Sequence, residues 1–395
     1  MRIAILNWTG GENDPFTPFN TTVRNQLARL GREAVLITKD KNVGPNLEAN
    51  IKRGIDFALT FQGLGSVLKA VGSNVLIWDM FKVPLFCLHG DHPSQMPANH
   101  SAQSDYVIHA YCVSSFTHYA NRYVPRRRPA MYFKLPMLNE PAKKQEWSGN
   151  YFCLPKNLDD TRETYRSWKS RLNANLHSFL TSAADAISHS LRTEETTDHH
   201  AIVDALMSEN ENFSRLKAST GIADELRFFH VIHRELNKFY RNALAQHVLV
   251  ELEDVPIKIY GRGWERHAAR GNKNHLFYAF DKAENADFQY FSNYGIIDIA
   301  PAFDSLHDRT LRALANRSAF LIASAWPHKD DFGEDYGALF FNGNPGRLRD
   351  RVERVLEDPT AHREQCVRFG REYRNWASYY DFLRTFELLR ATFSN

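Results

Sequence analysis

The stretch IIDIAPAFDSLHDRTLRALANRSAFLIAS, residues Ile296–Ser324, predicts a strand, a loop, a helix and a second strand in succession. Its opening apolar run ends at Ala300, and the polar loop that follows carries His307 and Arg309. Leucines and alanines then recur at helical spacing, and a second apolar run closes the stretch. A cation and free backbone N–H groups therefore meet where a helix begins, which is the natural place to bind a phosphate.

The length and charge of the chain indicate a globular protein of two domains. Its 395 residues exceed what one hydrophobic core normally organises. The formal net charge of +3 is too small to indicate a nucleic-acid-binding protein by itself. The sequence has no apolar run long enough to cross a membrane, and its N-terminus lacks the apolar core of a secretory signal. We therefore expect a cytoplasmic protein.

Strand-like and helix-like segments alternate along the first part of the chain, up to residue 155. Helices are predicted at about 18–30, where apolar residues recur at helical spacing before Gly31, and at about 66–71. Such alternation indicates an α/β fold with a parallel sheet covered on both faces. The predicted strands of this part are Arg2–Asn7, Ala34–Thr38, Ile55–Phe61, Pro84–Leu88, Asp105–Val113 and Ala130–Leu135.

The middle of the chain has a different character. Polar helical patterns dominate between Asn157 and Val250, and the polar segment Thr193–His200 is predicted to be an exposed loop. Strand patterns then resume, followed by an amphipathic helix at Pro345–Glu357 and a closing helix at about Trp376–Phe393. The predicted strands of this part are Ile257–Tyr260, Ile296–Ala300, Phe320–Ser324 and a short late strand, Ala338–Phe341.

Four segments of the second half resemble, as a set, the C-terminal half of GT-B glycosyltransferases. They are KIYGRGW (Lys258–Trp264), the stretch IAPAFDSLHDRTLRALANRSAFLIAS, the acidic Asp330–Gly337 and the run ALFFN (Ala338–Asn342). The resemblance spans roughly residues 250–385 and is closest to the CgeB-like proteins, with a C-terminal domain of the group 1 type. One position departs from it. Arg312 stands where such proteins usually have a glutamate that accepts hydrogen bonds from the donor ribose, and a guanidinium cannot accept one.

The resemblance implies a GT-B-like α/β fold, in which two Rossmann-like domains face a cleft and a helical segment lies between them in the sequence. We expect an N-terminal acceptor domain at 1–155, a helical insert or linker at 156–250, a C-terminal nucleotide-sugar-binding domain at 251–375 and a closing helix at 376–395. The implied activity is transfer of a hexosyl or related sugar from a nucleotide-sugar to a hydroxyl acceptor. That acceptor would be a glycan, a lipid-linked molecule or a protein, as in polysaccharide biosynthesis.

The donor is expected to bind through cations and glycines at strand ends of the C-terminal domain. Arg309 would neutralise a diphosphate that gains negative charge as the glycosidic bond breaks; the alternative is a surface pair with Asp308 or Asp304. His307 would donate to the same phosphates or remain in solvent. Glycines beside Arg262 let the backbone approach a ligand, although tight turns after strands use glycine widely. The predicted donor-binding residues are Arg309, His307, Arg262, Gly261, Gly263, Glu334 and Asp335.

The segment His89-Gly90-Asp91-His92-Pro93 is the catalytic candidate of the N-terminal half. It follows a predicted parallel strand, and open α/β sheets gather ligands at such strand ends. An inverting sugar transfer needs a general base for the acceptor hydroxyl, and we expect Asp91 first and His92 second in this role. The alternatives are that Asp91 only caps a turn, or that Glu12 is the base. The predicted acceptor-side residues are Gly10, Gly11, Glu12 and His89.

We expect no cofactor and no metal ion. The cysteines lie far apart and form no C-x-x-C pair, which argues against a zinc site and a disulfide scaffold. No Asp-x-Asp element stands at a predicted strand end, so a helix dipole and an arginine would replace the cation at the diphosphate. The cysteines are Cys87, Cys112, Cys153 and Cys366.

Three other functions stay open at this stage. A nucleotide-sugar epimerase or hydrolase would use the same fold, a catalytically inactive binding protein would fit the arginine at position 312, and a sugar transferase acting on nucleic acid would use the basic run Arg126–Arg128. That run is usually a solvated loop, although it would also suit anionic headgroups at the inner face of the membrane. The oligomeric state is not indicated.

Overall fold

The computed structural model describes residues 1–7, 16–38, 42–136, 150–193, 197–209, 213–220, 225–265, 267, 271–278, 294–299, 304, 306, 308–323, 332 and 334–393. The chain divides into two compact units. The first comprises Met1–Glu140 with Tyr373–Asn395, and the second comprises Pro141–Glu372. The helical middle of the chain and the strand at 152–155 therefore belong to the second unit. No helix among the described residues is both long and apolar enough to cross a membrane.

The first unit is built on a six-stranded parallel sheet in the order β2-β1-β3-β4-β5-β6. Adjacent residues along each strand face opposite sides. One face packs against the chain's final helix, which contributes Phe386 to the cluster around Phe57 and Phe86. The strands are β1 (Arg2–Asn7), β2 (Glu33–Thr38), β3 (Phe57–Phe61), β4 (Leu85–His89), β5 (Val107–Tyr111) and β6 (Met131–Tyr132).

The opposite face of this sheet carries a second apolar cluster, which includes Trp78, Leu85 and Cys87. Because β1 pairs with both β2 and β3, the strand order reverses direction beside β1. In open α/β sheets, ligands bind outside the carboxyl ends of strands at such a reversal. The helices of this unit are α1 (Phe16–Arg29), α2 (Val43–Lys52), α3 (Ile77–Phe81), α4 (Pro97–His100), α5 (Ser114–Tyr123) and, from the C-terminus, α14 (Tyr379–Phe393).

The second unit is built on a five-stranded parallel sheet in the order β11-β10-β7-β8-β9. Strand β7 pairs with both β8 and β10, so the order reverses between β7 and β10, as in dinucleotide-binding sheets. The carboxyl ends of these two strands therefore form the expected ligand-binding position. The strands are β7 (Phe152–Pro155), β8 (Ile257–Tyr260), β9 (His275–Tyr278), β10 (Gly295–Asp298) and β11 (Phe320–Ile322).

Helices dominate the rest of the second unit. The 27-residue α10 packs against α7, α8 and α12. The helices are α6 (Thr161–Arg171), α7 (Ala174–Thr193), α8 (His199–Glu209), α9 (Phe213–Ser219), α10 (Glu225–Glu251), α11 (Asp308–Ala315) and α12 (Pro345–Glu357), with a 3₁₀ helix at Glu334–Leu339. Helix α13 (Pro359–Trp376) begins in this unit and ends in the first one.

Most predicted strands are confirmed to within a few residues, but three local predictions are wrong. Residues 66–71 contain turns and an isolated bridge from Lys69 to Leu76 rather than a helix, and they follow Gly63 and Gly65, whose φ values of +63° and +83° are typical of turns. The late strand at 338–341 is largely a 3₁₀ helix with one bridge from Phe340 to Ile322. The predicted loop at 193–200 contains the start of α8, where His199 is buried and stacks on Tyr240.

Two strands, β7 and β9, were not predicted. Each has four residues, FCLP and HLFY, and neither shows an apolar-polar alternation or a long apolar run. Strand β7 is the central strand of the second sheet and carries the sheet's reversal, yet it ends at Pro155, the residue at which the sequence-based boundary closed the first domain. At the C-terminus, α14 confirms the predicted closing helix, while α13, which precedes it, was not predicted.

Candidate functional site

A buried carboxylate anchors the start of α11 to the end of β10. Asp298 is the last residue of β10 and has no solvent exposure. It accepts hydrogen bonds from Nη1 of Arg309 at 2.8 Å and from the hydroxyl of Thr310 at 2.6 Å. The Arg309 side chain keeps 18% of its exposure. The guanidinium predicted to bind a phosphate is therefore held at the carboxyl end of the second sheet by Asp298.

Lys156 is a second cation at this end of the sheet, immediately after β7. Its ammonium group donates to Oδ1 of Asn242 at 2.9 Å and to the carbonyl of Asn157. Burial first, and then the positive charges of Arg241 and Arg309, lower the pKa of Lys156 to about 7, against Asp159, which raises it. The sequence did not indicate that this lysine lies at a strand end, because β7 was not predicted.

Lys156, Arg241, Arg309 and Lys238 form what we call the cation group. Lys156 follows β7, Arg309 lies in α11 after β10, and the other two cations lie in α10. Each of these three cations acts electrostatically on Lys156. The positive charges of Arg241, Arg309 and Lys238 all lower the pKa of Lys156, and an anion bound among the four would offset this repulsion. This arrangement suits a phosphate or diphosphate at the position where Rossmann-like sheets bind ligands.

The glycines after β8 serve the packing of the strand-end loops. A Cβ atom on Gly261 would lie 2.1 Å from the carbonyl oxygen of Lys156, and one on Gly263 would lie 1.8 Å from that of Leu158. The backbone N–H of Arg262 donates to Oδ1 of Asn157 at 2.9 Å, while its side chain is exposed. These two positions thus require glycine because the loop after β8 lies directly against the loop that carries Lys156.

The other residues of the second unit that the sequence singled out lie in different parts of it or outside the described residues. His307 lies outside the described residues. Glu334 begins the 3₁₀ helix, and Asp335 is exposed, with its carbonyl accepting from Gln365 at 2.6 Å. Arg312, which replaces the glutamate of the resembled family, lies in α11, in the turn after Arg309.

In the first unit, Asp91 lies just beyond the end of β4. Its carboxylate accepts from the side-chain amide of Gln62 at 3.0 Å, and its backbone N–H donates to the same side chain at 3.4 Å. Gln62 follows β3 and has a φ of +54°, unusual for a residue with a side chain. Asp91 is only partly buried, so a clamped carboxylate faces partly into solvent at the carboxyl end of the first sheet.

The neighbouring histidines are buried. His92 is 2% exposed, its Nδ1 accepts from the backbone N–H of Ser94 at 3.2 Å, and its ring contacts Phe116 and Tyr119. His89 has no exposure, and its ring stacks on those of His109 and Tyr111 and packs at a tilt against that of His100. The structure therefore differs from the expectation for His89, because its side chain lies within the unit rather than on an acceptor-facing surface.

The other predicted acceptor-side residues, Gly10, Gly11 and Glu12, lie outside the described residues. The side chains of the basic run Arg126–Arg128 contact other residues of the first unit. Arg126 donates to the carbonyl of Ala120 at 2.8 Å, and Arg127 pairs with Asp105 at 3.0 Å. Arg128 donates to the backbone of Asp105 and lies over the ring of Phe393.

Comparison with known proteins gives structural similarity only. No protein-family model matches the chain, and no curated protein matches it in sequence. Among solved structures, sucrose-phosphate synthase (tll1590) from Thermosynechococcus elongatus is 10% identical, with 100% of this chain and 99% of that chain covered and a TM-score of 0.53. The β-glucosyltransferase of T4 phage is 10% identical, covering 100% and 97%, with a TM-score of 0.48. An α-glucosyltransferase in complex with UDP and a 13-mer DNA is 11% identical, covering 98% of each chain, with a TM-score of 0.48.

The similarity to the synthase extends over the whole chain, and both units contain parallel sheets flanked by helices. The GT-B-like α/β fold predicted from the sequence is thereby confirmed. At this identity the similarity concerns the fold alone, so the function has to be argued from the residues of the two sheet ends.

Proposed function

We propose that the protein is a glycosyltransferase that moves a sugar from a nucleotide-sugar donor to a hydroxyl acceptor. The observation that carries the proposal is the cation group at the reversal of the second sheet, where Lys156 and Arg309 follow adjacent strands. Proteins with this fold bind nucleotides at such a position. The glycosyltransferase neighbours are consistent with it, and the finer CgeB-like grouping remains a prediction.

In this proposal the cation group binds the diphosphate of the donor. The leaving diphosphate gains negative charge as the glycosidic bond breaks, so fixed cations stabilise the transition state more than the ground state. Arg309 is held in place by Asp298 and Lys156 by Asn242, so little reorganisation is needed when the charge develops. With these cations present, we propose that transfer proceeds without a metal ion at the diphosphate.

We further propose that Asp91 removes the proton of the acceptor hydroxyl in an inverting transfer. Its carboxylate is oriented by Gln62 and is partly open to solvent, which suits a base that must reach an incoming hydroxyl. His92, the second choice, has the hydrogen bond from Ser94 at one ring nitrogen and aromatic rings around it, which favours a supporting role. A contact of the protein with membrane headgroups remains a prediction.

The test is binding of nucleoside diphosphates, measured by the increase that they cause in stability against thermal unfolding. A ligand present at 100 times its dissociation constant stabilises the folded state by about 2.7 kcal/mol. We expect Lys156→Met to reduce this stabilisation strongly, and Lys169→Met, at an exposed lysine of the same unit, to leave it unchanged. Equal stabilisation of the Lys156→Met variant and the wild type would contradict a phosphate site at the cation group.

A second assay separates transfer from the other reactions of the same fold. Incubation with a nucleotide-sugar and no acceptor measures hydrolysis or isomerisation of the donor. Under these conditions an epimerase would convert the donor into an equilibrium mixture of epimers and a hydrolase would cleave it, whereas a transferase is expected to need a hydroxyl compound for rapid release of the nucleoside diphosphate. Binding without any turnover would favour the inactive binding protein.

A further inference from the structure

Three potential metal ligands lie together inside the first unit. Cys87 and His89 are two residues apart on β4, so their side chains share one face of the sheet. His109 on β5 is the direct partner of Cys87 in the parallel register. The ligand atoms of the three side chains all lie within 4.8 Å of one another, and all three residues are buried.

This cluster lies on the sheet face that otherwise forms an apolar core. Cys87 belongs to the cluster around Leu85 and Trp78. A polar ring placed in such surroundings costs free energy unless its nitrogens have partners. Nε2 of His89 and Nδ1 of His109 are 2.9 Å apart and share one hydrogen bond. The other nitrogen of each ring is buried without a hydrogen-bond partner among the described residues.

We propose that Cys87, His89 and His109 form a binding site for a thiophilic divalent cation of the zinc type. A thiolate with two imidazoles is a ligand set that zinc accepts, with one coordination position left over. In a tetrahedral zinc site with ordinary bond lengths the ligand atoms lie about 3.3–3.6 Å apart. The ligand atoms of the three side chains lie at most 4.8 Å apart, so small side-chain movements bring them into that range.

The charges around the cluster set how such a site works. Histidine binds a metal as a neutral imidazole and cysteine as a thiolate, so each ring supplies one nitrogen lone pair and Cys87 gives up its proton. Binding therefore replaces the thiol proton: the S–H bond breaks, a metal–sulfur bond forms and one proton is released to solvent.

Arg126 is the cation that faces the cluster, and it also contacts Tyr111, whose ring stacks on His89. Its positive charge repels a second cation. Arg126→Gln is therefore expected to tighten metal binding, which is opposite to the result expected if the variant merely loosened the fold. This site does not depend on the proposed sugar transfer, because it contains no residue of the cation group and does not use Asp91.

The test is a titration of the full chain, stripped with a chelator, with Co²⁺ as a spectroscopic probe for Zn²⁺. We expect one equivalent to bind, with a thiolate-to-cobalt charge-transfer band in the near ultraviolet and release of one proton. Cys87→Ser is expected to abolish the band, and Cys112→Ser, at the half-buried cysteine after β5, to retain it. Folded wild-type protein without the band, or a band that persists in Cys87→Ser, would overturn the proposal.

X-ray absorption of the zinc-loaded wild type keeps the proposal testable if Cys87→Ser fails to fold. We expect one sulfur at about 2.3 Å and nitrogen neighbours at about 2.0–2.1 Å from the metal. A first shell without sulfur would mean adventitious binding to histidines elsewhere and would also overturn the site.

Discussion

The carboxyl ends of the two sheets share a parallel topology but have opposite electrostatic character. In the second sheet, Lys156 and Arg309 bring positive charge to the reversal of strand order, beside the buried carboxylate of Asp298. In the first sheet, the corresponding end carries stacked neutral rings and the clamped carboxylate of Asp91. One fold thus provides two different strand ends, of which the second sheet's end suits an anion and the first sheet's end presents an oriented carboxylate.

The largest expected effect concerns the carboxylate of the first sheet. Asp91→Asn removes the proposed base but keeps an oxygen that can accept from Gln62, so folding should be unaffected. We expect the transfer rate to fall by about 10²–10⁴-fold, the usual contribution of a general base, with diphosphate binding unchanged. Steady-state kinetics measures this, with Asp105→Asn, at an exposed carboxylate of the same unit, as the control. A rate close to that of the wild type would show that Asp91 is not the general base.

The second effect concerns the stability of the cationic end. Asp298→Ala leaves the partly buried Arg309 without its carboxylate, and breaking a buried pair from one side typically costs about 3–5 kcal/mol. Urea unfolding followed by tryptophan fluorescence measures the loss. The matched control is Asp254→Ala, which breaks an ion pair with Arg349 at the surface and should leave stability nearly unchanged. Equal losses in the two variants would show that burial of Asp298 adds nothing.

The third effect is the pH dependence of diphosphate binding. The pKa of Lys156 lies at about 7, so its side chain is charged below that pH and neutral well above it. A bound diphosphate favours the charged form, and binding above pH 7 must therefore take up a proton. We expect affinity to fall by up to about tenfold for each pH unit above 7, since one pKa unit corresponds to a tenfold change.

Calorimetry in buffers with different ionisation enthalpies measures the proton uptake directly. The Lys156→Met variant should bind more weakly and lose this pH dependence. A wild-type affinity that stays constant between pH 7 and about 9 would indicate that Lys156 remains charged without ligand.

The smallest effect tests how Asp91 is positioned. Gln62 holds the carboxylate at the cost of a φ of +54°, which glycine adopts freely. Gln62→Gly should relieve that strain, which offsets part of the stability lost with its buried hydrogen bonds, while the transfer rate falls about tenfold because a hydrogen bond to a charged group is lost. The control is Lys82→Gly, at an exposed residue with a φ of +53°, which should gain stability without any change in rate. Equal activity in both variants would remove Gln62 from the mechanism.

Much of the fold could be predicted because its signals are local. Apolar runs such as Arg2–Asn7 and Ile257–Tyr260 become strands at the expected residues, and Pro345–Glu357 becomes a helix with Asn344 as its N-cap. The prediction of a late strand is wrong because the backbone at Glu334–Leu339 forms 3₁₀ turns, which an apolar pattern does not distinguish from a strand. Strand β7 was missed because four apolar residues carry too little periodicity.

The candidate sites were predictable only in part. Arg309 was identified because the strand, loop and helix around it are adjacent in sequence. Lys156 was not, since its significance comes from Asn242, 86 residues away, and from Arg241 on the same helix. The cysteine spacing argued against a metal site, but a parallel register brings His109 beside Cys87, and ligand spacing along one chain segment does not reveal such a pair.

The sequence by itself determined most of the strands and helices and the fold class that they build, because hydrophobic periodicity and glycine turns act over a few neighbouring residues. Only the tertiary structure decided that the cations gather at the carboxyl end of the second sheet and the stacked rings at that of the first sheet. The physical reason is that strand order and register set which distant side chains meet, and burial then sets whether each of them is charged.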